Sequence, residues 1–128
     1  MSKKKIVITG TAGLLGPHVA RHFAEHGYHV VGIDRAVPKE SAAQENLIVD
    51  LTNAGEVYSA LSGAMGVVHL AAIPRPGIYT SEITFGNNIL ASYHILEAAD
   101  NLGIKKAVIA SSESAYGFCF SKNNLRPQ

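Results

Sequence analysis

Short runs of aliphatic and β-branched residues alternate with longer segments of helical periodicity along the chain. The first run, Lys5–Ile8, stops at Thr9-Gly10 and predicts a buried strand. Beyond it Leu15, Val19 and Phe23 recur at every fourth position, which places them on one face of a helix. Gly27 is placed to end that helix in a left-handed conformation. The pattern therefore begins with a strand and a helix joined by a short glycine-rich turn.

The same periods predict four more strands and two more helices. The strands are His29–Ile33, Asn46–Val49, Gly66–Ala71 and Lys106–Ala110. One helix follows an N-cap at Thr52 and buries Val57, Ala60, Leu61 and Ala64; a longer one runs from about Ser81 to Asp100 and carries Phe85, Ile89, Tyr93 and Leu96. Such alternation predicts an α/β fold, a Rossmann-type doubly wound parallel sheet of five strands in the order 3-2-1-4-5. The ligand cleft is expected at the carboxyl ends of strands one and four, where the strand order reverses.

Composition narrows the class of protein further. A chain of 128 residues has room for one domain, and 47% hydrophobic residues suffice for a packed core. The net charge of +1 predicts no broad surface for nucleic acid, and no segment resembles a secretory leader or a membrane span. Cys119 is the only cysteine, so no internal disulfide forms, which fits a cytoplasmic location. We expect neither a nucleic-acid nor a membrane partner.

The segment Gly10–Gly16 carries the strongest chemical signal, because it joins a predicted strand to a predicted helix. Gly10 permits a tight turn, Gly13 lets a diphosphate approach the backbone, and Gly16 lets the helix pack close to the sheet. The unpaired N–H groups at the start of the helix and its positive dipole end then face the phosphates, and we expect Leu14 and Leu15 to contact the cofactor as well. The segment predicts a dinucleotide-binding loop.

Asp34 ends the second predicted strand, where its carboxylate can accept hydrogen bonds from both hydroxyls of the adenosine ribose. The same charge repels the 2′-phosphate of NADP. Arg35, the next residue, can instead cradle that phosphate. We expect NAD rather than NADP.

The spacing Thr9-Gly10-x-x-Gly13-x-x-Gly16 resembles the TGxxGxxG motif of the extended short-chain dehydrogenases/reductases, the NAD-dependent epimerase/dehydratase family. Four further family motifs are matched in order. They are Asp50-Leu51, which lies along the adenine in the family; Leu70-Ala71-Ala72, which lines the cofactor; Asn88; and Ser111-Ser112-x-x-x-Tyr116-Gly117. The resemblance covers nearly the whole chain, and it implies that these motifs, Ser111 included, surround the cofactor. Arg35 is expected at the cofactor because it follows Asp34.

The resemblance also implies the chemistry, a hydride transfer between a sugar-nucleotide carbon and the nicotinamide, as in oxidoreductases and isomerases of the family. There a tyrosine is the base, a lysine four residues later lowers its pKa, and Ser112 would bind the reacting oxygen. None of the five tyrosines here has a lysine at the fourth following position. We therefore interpret residues 1–128 as an NAD-binding domain truncated before the Tyr-x-x-x-Lys helix and the substrate domain, which binds cofactor but turns over sugar nucleotide poorly or not at all.

Glu113 lies where dehydratases of the family carry an acid, but Ser114 replaces the glutamate base that should follow. Loss of water is therefore less expected than epimerisation or oxidation, and Glu113 has the alternative role of capping the loop.

The remaining candidate ligands are histidines. His18, His22 and His26 repeat at helical spacing, but no cysteine or carboxylate completes a metal set, so we predict no metal site. His69 and His94 lie among apolar neighbours and are interpreted as core or boundary residues.

Two hypotheses remain open for the protein as a whole. One is the NAD-binding portion of a sugar-nucleotide epimerase or dehydrogenase; the other is a non-catalytic module for redox sensing or interaction. A Tyr-x-x-x-Lys encoded beyond Gln128 would support the first, and a natural stop codon the second. Under either hypothesis, the apolar strip Ile89–Leu96 of the long helix predicts self-association.

Overall fold

The computed structural model describes residues 2–116 and confirms the predicted architecture. The strands are β1 (Lys5–Thr9), β2 (His29–Asp34), β3 (Glu45–Ile48), β4 (Gly66–His69) and β5 (Lys106–Ile109). The helices are α1 (Gly16–Glu25), α2 (Ala54–Leu61) and α3 (Ser81–Asn101), and a 3-10 turn covers Glu113–Tyr116. All neighbouring strands pair in parallel, in the order β3-β2-β1-β4-β5.

Alternating residues of the central strands divide the core between the two faces of the sheet. On one face Val7, Val31 and Val67 pack with residues of α2 and α3, including Leu61 and Ile95. The other face carries Ile6, Ile8, Val30 and Val68, packed with Ala20 of α1. The sheet therefore fixes the positions of α1 and α3 on opposite sides of its carboxyl edge.

Three alanines and one isoleucine form the buried side of α3. Ala91, Ile95, Ala98 and Ala99 are buried, whereas Phe85, Ile89, Tyr93 and Leu96 are each at least half exposed. The periodic large residues thus lie on the outer surface of the described structure. Within that structure, no helix has the combination of length and hydropathy that a membrane crossing requires.

The start of α2 differs from the prediction. The N-cap is Asn53, whose side-chain oxygen accepts the Glu56 N–H at 3.2 Å. The Thr52 side chain is turned toward Asp50 instead, since both its N–H and its hydroxyl donate to Asp50 Oδ1, at 2.9 and 2.7 Å. The neighbouring carboxylate therefore shifts the cap by one residue.

β4 is two residues shorter than predicted, and the reason is a side-chain hydroxyl. The N–H groups of Leu70 and Ala71 donate to Thr9 Oγ1 instead of to a neighbouring strand, at 3.1 and 3.0 Å. The chain leaves the sheet at this point and turns toward the glycine-rich loop.

Candidate functional site

A cavity of about 490 Å³ opens at the carboxyl edge of the sheet, between the glycine-rich loop and α3. Its volume lies in the range usual for small-molecule sites. Eleven of the residues predicted to bind cofactor line it: Gly10, Gly13, Leu14, Leu15, Gly16, Asp34, Arg35, Leu51, Leu70, Ala71 and Ala72. The structure thus brings the glycine loop, the end of β2 and the end of β4 to one place.

Two glycines of the loop are required by close backbone contacts. Gly10 has φ +81°, and a Cβ there would lie 2.9 Å from the Ala71 nitrogen. A Cβ on Gly16 would overlap the Gly10 carbonyl oxygen and lie 2.8 Å from Thr11 Cα. Gly13 is less constrained, since its Cβ would meet only the Gly10 oxygen, at 3.2 Å. These glycines let the loop pack against both β4 and α1.

Free hydrogen-bond donors are concentrated where α1 begins. The Gly13 N–H donates to the Gly10 oxygen at 3.1 Å, but the N–H groups of Leu14, Leu15 and Gly16 donate to no other atom within residues 2–116. The helix has no side-chain cap, and Pro17 occupies its first turn. Unpaired donors and the positive end of the helix dipole therefore coincide, an arrangement suited to a phosphate.

Asp34 joins the end of β2 to this loop. Its Oδ2 accepts the Ala12 N–H at 2.8 Å, and its Oδ1 accepts the Arg35 N–H at 2.7 Å. A carboxylate has about four acceptor sites, so two remain for a ligand in the cavity.

The Arg35 side chain reaches across to α3. Its Nη2 donates to Asn87 Oδ1 at 2.5 Å and lies 3.7 Å from Asp50 Oδ1. The hydrogen bonds from Thr52 to Asp50, and to a lesser extent the Arg35 charge, hold the pKa of that carboxyl below its usual value. The guanidinium is thus held by an amide and an ionised acid.

Asn88 fixes the segment that follows β4. Its Oδ1 accepts the Ile73 N–H at 2.8 Å and its Nδ2 donates to the Ile73 oxygen at 3.1 Å. Asn88 also lines a second, apolar pocket of about 510 Å³, together with Phe85, Ile89 and Ser114.

Three predicted cofactor residues, Asp50, Asn88 and Ser111, do not line the loop cavity. Ser111 and Ser112 are exposed beyond β5, and Ser112 Oγ accepts the Ser114 N–H at 3.1 Å. The backbone of Glu113 begins the 3-10 turn. Gly117 and Cys119 lie outside the described residues. The roles assigned to these residues stay predictions.

The structure also adds residues that sequence reasoning missed, among them Ala12, Val49, Ile73 and Asn87. Asn87 could have been found from its place beside Asn88, whereas Ile73 lies in a loop with no motif of its own.

The histidines separate into two environments. His18 and His22 are exposed on α1, and His26 is exposed at its C-cap. Residues 2–116 contain no group of three or more side chains placed to hold a metal ion. His94 Nδ1 lies 2.9 Å from the Leu51 oxygen. His69 is almost fully buried.

The family model described as the NAD dependent epimerase/dehydratase family matches residues 6–125. The chain belongs to this family. The resemblance noted from the motifs is thereby confirmed.

Individual relatives differ widely in what they act on. The UDP-glucose 4-epimerase of Streptomyces lividans is 30% identical over 122 residues, covering 88% of this chain and 37% of the relative. The decarboxylating sterol-4-alpha-carboxylate 3-dehydrogenase of Mus musculus is 30% identical over 111 residues, covering 87% of this chain and 30% of the relative.

Among solved structures, a uronate dehydrogenase variant from Agrobacterium tumefaciens complexed with NAD has a TM-score of 0.75 and 28% identity, covering 87% of this chain and 42% of that one. The chain spans about a third of the length of the curated relatives it matches.

Proposed function

We propose that the chain binds NAD in the loop cavity and forms the dinucleotide-binding part of an oxidoreductase or epimerase acting on a sugar nucleotide. One observation carries the proposal: the unpaired N–H groups of Leu14, Leu15 and Gly16 lie in the same cavity as the Asp34 carboxylate. The donors suit a diphosphate, and the acceptor suits the adjoining ribose.

The preference for NAD over NADP follows from the charges at the end of β2. Asp34 would oppose a 2′-phosphate, and Arg35, the cation nearest to it in sequence, is engaged by Asn87 and Asp50. The Nη2 group would have to leave Asn87 before it could bind a 2′-phosphate, and the neighbouring Asp50 carboxylate would repel that phosphate as well.

The remaining lining residues complete the proposed cofactor site. Leu51 and the segment Leu70–Ala72 provide apolar walls, while Asp50 and Asn88 act from outside the cavity through Arg35 and Ile73. Ser111 is proposed as a further contact on the family pattern. A bound nicotinamide would supply the hydride-accepting carbon. Ser112, whose hydroxyl hydrogen can donate, would bind the reacting substrate oxygen. Glu113 is kept as a candidate acid.

A sugar-nucleotide substrate is supported by the likeness to the UDP-glucose 4-epimerase, and a cytoplasmic location by the single cysteine. Because no tyrosine of the chain is followed by the expected lysine, we expect these 128 residues to bind cofactor without efficient turnover.

Titration calorimetry with NAD and NADP tests the proposal. We expect NAD to bind more tightly, and Asp34→Ala to weaken NAD binding about ten- to a hundredfold, since hydrogen bonds to a charged group are lost. The same variant should narrow the difference between NAD and NADP. Asp100→Ala, which removes an exposed carboxylate near the end of α3, is the matched control and should change neither constant.

Two results would contradict the proposal. If the folded protein had no affinity for either coenzyme, the proposed dinucleotide site would be wrong. If NADP bound more tightly than NAD, the proposed role of Asp34 would be wrong. Separately, a robust change in NADH absorbance with UDP-glucose would contradict the expected lack of turnover.

A further inference from the structure

Three side chains from β1, β4 and α3 form a hydrogen-bonded series beside the cavity. Thr9 Oγ1 lies 2.8 Å from His69 Nδ1, and His69 Nε2 lies 3.2 Å from Ser92 Oγ. Thr9 is fully buried and His69 is 3% exposed. None of the three lines the cavity. The buried imidazole therefore needs an explanation other than direct ligand contact.

The hydroxyl of Thr9 determines which nitrogen of His69 carries the proton. Thr9 Oγ1 already accepts the N–H groups of Leu70 and Ala71, at 3.1 and 3.0 Å. A hydroxyl has two acceptor positions and one hydrogen, so its hydrogen is left to donate to His69 Nδ1. Nδ1 must then be an acceptor, and the neutral ring carries its hydrogen on Nε2, facing Ser92 Oγ.

A second proton on His69 would conflict with this arrangement. Protonated Nδ1 would direct a third donor at an oxygen whose two acceptor positions are filled, so the N–H of Leu70 or Ala71 would have to leave it. Leu70 and Ala71 both line the cavity. Ala71 also lies close to Gly10, because a Cβ on Gly10 would be only 2.9 Å from the Ala71 nitrogen. The protonation state of His69, which lies outside the cavity, thus affects the position of Leu70 and Ala71 in the cavity wall.

The surroundings of the ring favour its neutral form. Burial lowers the pKa of His69, and no charged side chain within residues 2–116 contributes to that shift. The groups that hydrogen-bond the ring are hydroxyls, one from β1 and one from α3. The Ala110 N–H, directly after β5, donates to the backbone oxygen of His69 and not to the ring. No carboxylate among these partners would stabilise an imidazolium.

We propose that neutral His69 is a positioning residue of the dinucleotide site: it orients the Thr9 hydroxyl so that Leu70 and Ala71 stay against the glycine-rich loop, and the site loses affinity when the imidazole is protonated. The inference rests on the proposed NAD binding, but its first test does not depend on any cofactor.

That test is the tautomer of His69 in the free protein. A long-range ¹H–¹⁵N correlation spectrum of the imidazole should show hydrogen on Nε2 and a bare Nδ1 at pH 8, and the His69→Asn spectrum assigns the signal by its loss. Hydrogen on Nδ1 would overturn the proposal, because Thr9 would then be an acceptor from His69 and could not also hold both amides.

The second test is the pH dependence of the NAD dissociation constant between pH 8 and 5. We expect the constant to rise as the pH falls through the lowered pKa of His69, by at most about tenfold per pH unit, since one proton is involved. His69→Asn, which keeps an acceptor near Nδ1 but cannot titrate, should bind less tightly than wild type at pH 8 and lose this dependence. His26→Asn removes an exposed imidazole at the C-cap of α1 and should keep the wild-type profile.

The two failures are distinguishable. Absence of NAD binding at pH 8 contradicts the proposed function, whereas binding with the same pH profile in wild type and His69→Asn contradicts only the role of His69. Circular dichroism at each pH excludes unfolding as the cause of lost affinity.

A pair of variants tests the hydroxyl itself. Thr9→Val replaces the hydroxyl by a methyl group and should weaken NAD binding more than tenfold at pH 8, because two amides lose their acceptor. Thr9→Ser keeps the hydroxyl and should stay closer to wild type. Equal losses in the two variants would overturn the positioning role.

Discussion

Substitution of Gly16 by alanine is the most direct perturbation of the contact between the glycine-rich loop and α1. The added methyl group would overlap the Gly10 carbonyl oxygen, lie 2.7 Å from the Gly10 carbonyl carbon and lie 2.8 Å from Thr11 Cα. All three atoms belong to the backbone, so no side-chain rotation can relieve the overlap. Either α1 moves away from the sheet or the loop changes its path.

Two opposing contributions determine how far Gly16→Ala changes the free energy of unfolding: the overlap lowers it, and the higher helix propensity of alanine raises it. Overfilling a packed site costs about 1–3 kcal/mol, and backbone neighbours put Gly16→Ala near the upper end. Alanine in a helix recovers at most about 1 kcal/mol relative to glycine. We expect the free energy of unfolding to fall by roughly 2 kcal/mol, which lowers the melting temperature by about 10 °C in a chain of this size.

Gly86→Ala is the matched control. Gly86 lies inside α3, and a Cβ there would meet no atom within 4 Å. This variant should raise the free energy of unfolding by about 0.5–1 kcal/mol. Urea denaturation followed by circular dichroism measures both variants. If Gly16→Ala unfolds at the same urea concentration as wild type, the close approach of loop and helix is wrong.

Two further predictions concern the body of the fold and its outer surface. Lys5 Nζ donates to the Ala60 and Ser62 oxygens at the end of α2, at 2.9 and 2.8 Å. Lys5→Met should therefore lower the free energy of unfolding by about 1–2 kcal/mol, whereas the control Lys4→Met should lower it by no more than about 0.5 kcal/mol. Equal urea midpoints for the two variants would refute this prediction. The exposed apolar strip of α3 predicts that the protein associates as its concentration rises; the strip consists of Phe85, Ile89, Tyr93 and Leu96. Sedimentation velocity measures this association, and Ile89→Glu should reduce it. A wild-type protein that stays monomeric at high concentration would contradict the prediction.

The fold was predictable from sequence because its elements depend on local patterns. The β-branched run at Lys5–Ile8 and the four-residue repeat from Leu15 to Phe23 each specify one element, and right-handed crossovers then restrict the strand order. The N-cap of α2 was missed because Thr52 and Asn53 are both good caps. In the structure the Thr52 side chain is turned toward Asp50, a contact that the linear pattern does not show, and Asn53 forms the cap.

The lining of the cavity was predictable to the extent that it lies in motifs. The loop Gly10–Gly16 and Asp34 are recognisable because a strand precedes each of them. The Arg35–Asn87 contact joins residues far apart in sequence, and no local pattern indicates it. Under the proposed function it would favour NAD over NADP, since it engages the guanidinium that is next to Asp34 in sequence.

The end of β4 shows most clearly what a linear pattern omits. Val67 to Ala71 has the composition of one continuous strand, yet the chain leaves the sheet after His69 because the Thr9 hydroxyl takes the next two N–H groups. The departure brings Ala71 against Gly10 and forms a wall of the cavity. His69 can support this turn only as a hydrogen-bond acceptor at Nδ1. A histidine on another buried strand, with no hydroxyl beside it that accepts two backbone N–H groups, could be protonated with no effect on the cavity. The positioning role proposed for His69 therefore depends on its three-dimensional contacts and not on its presence in a motif.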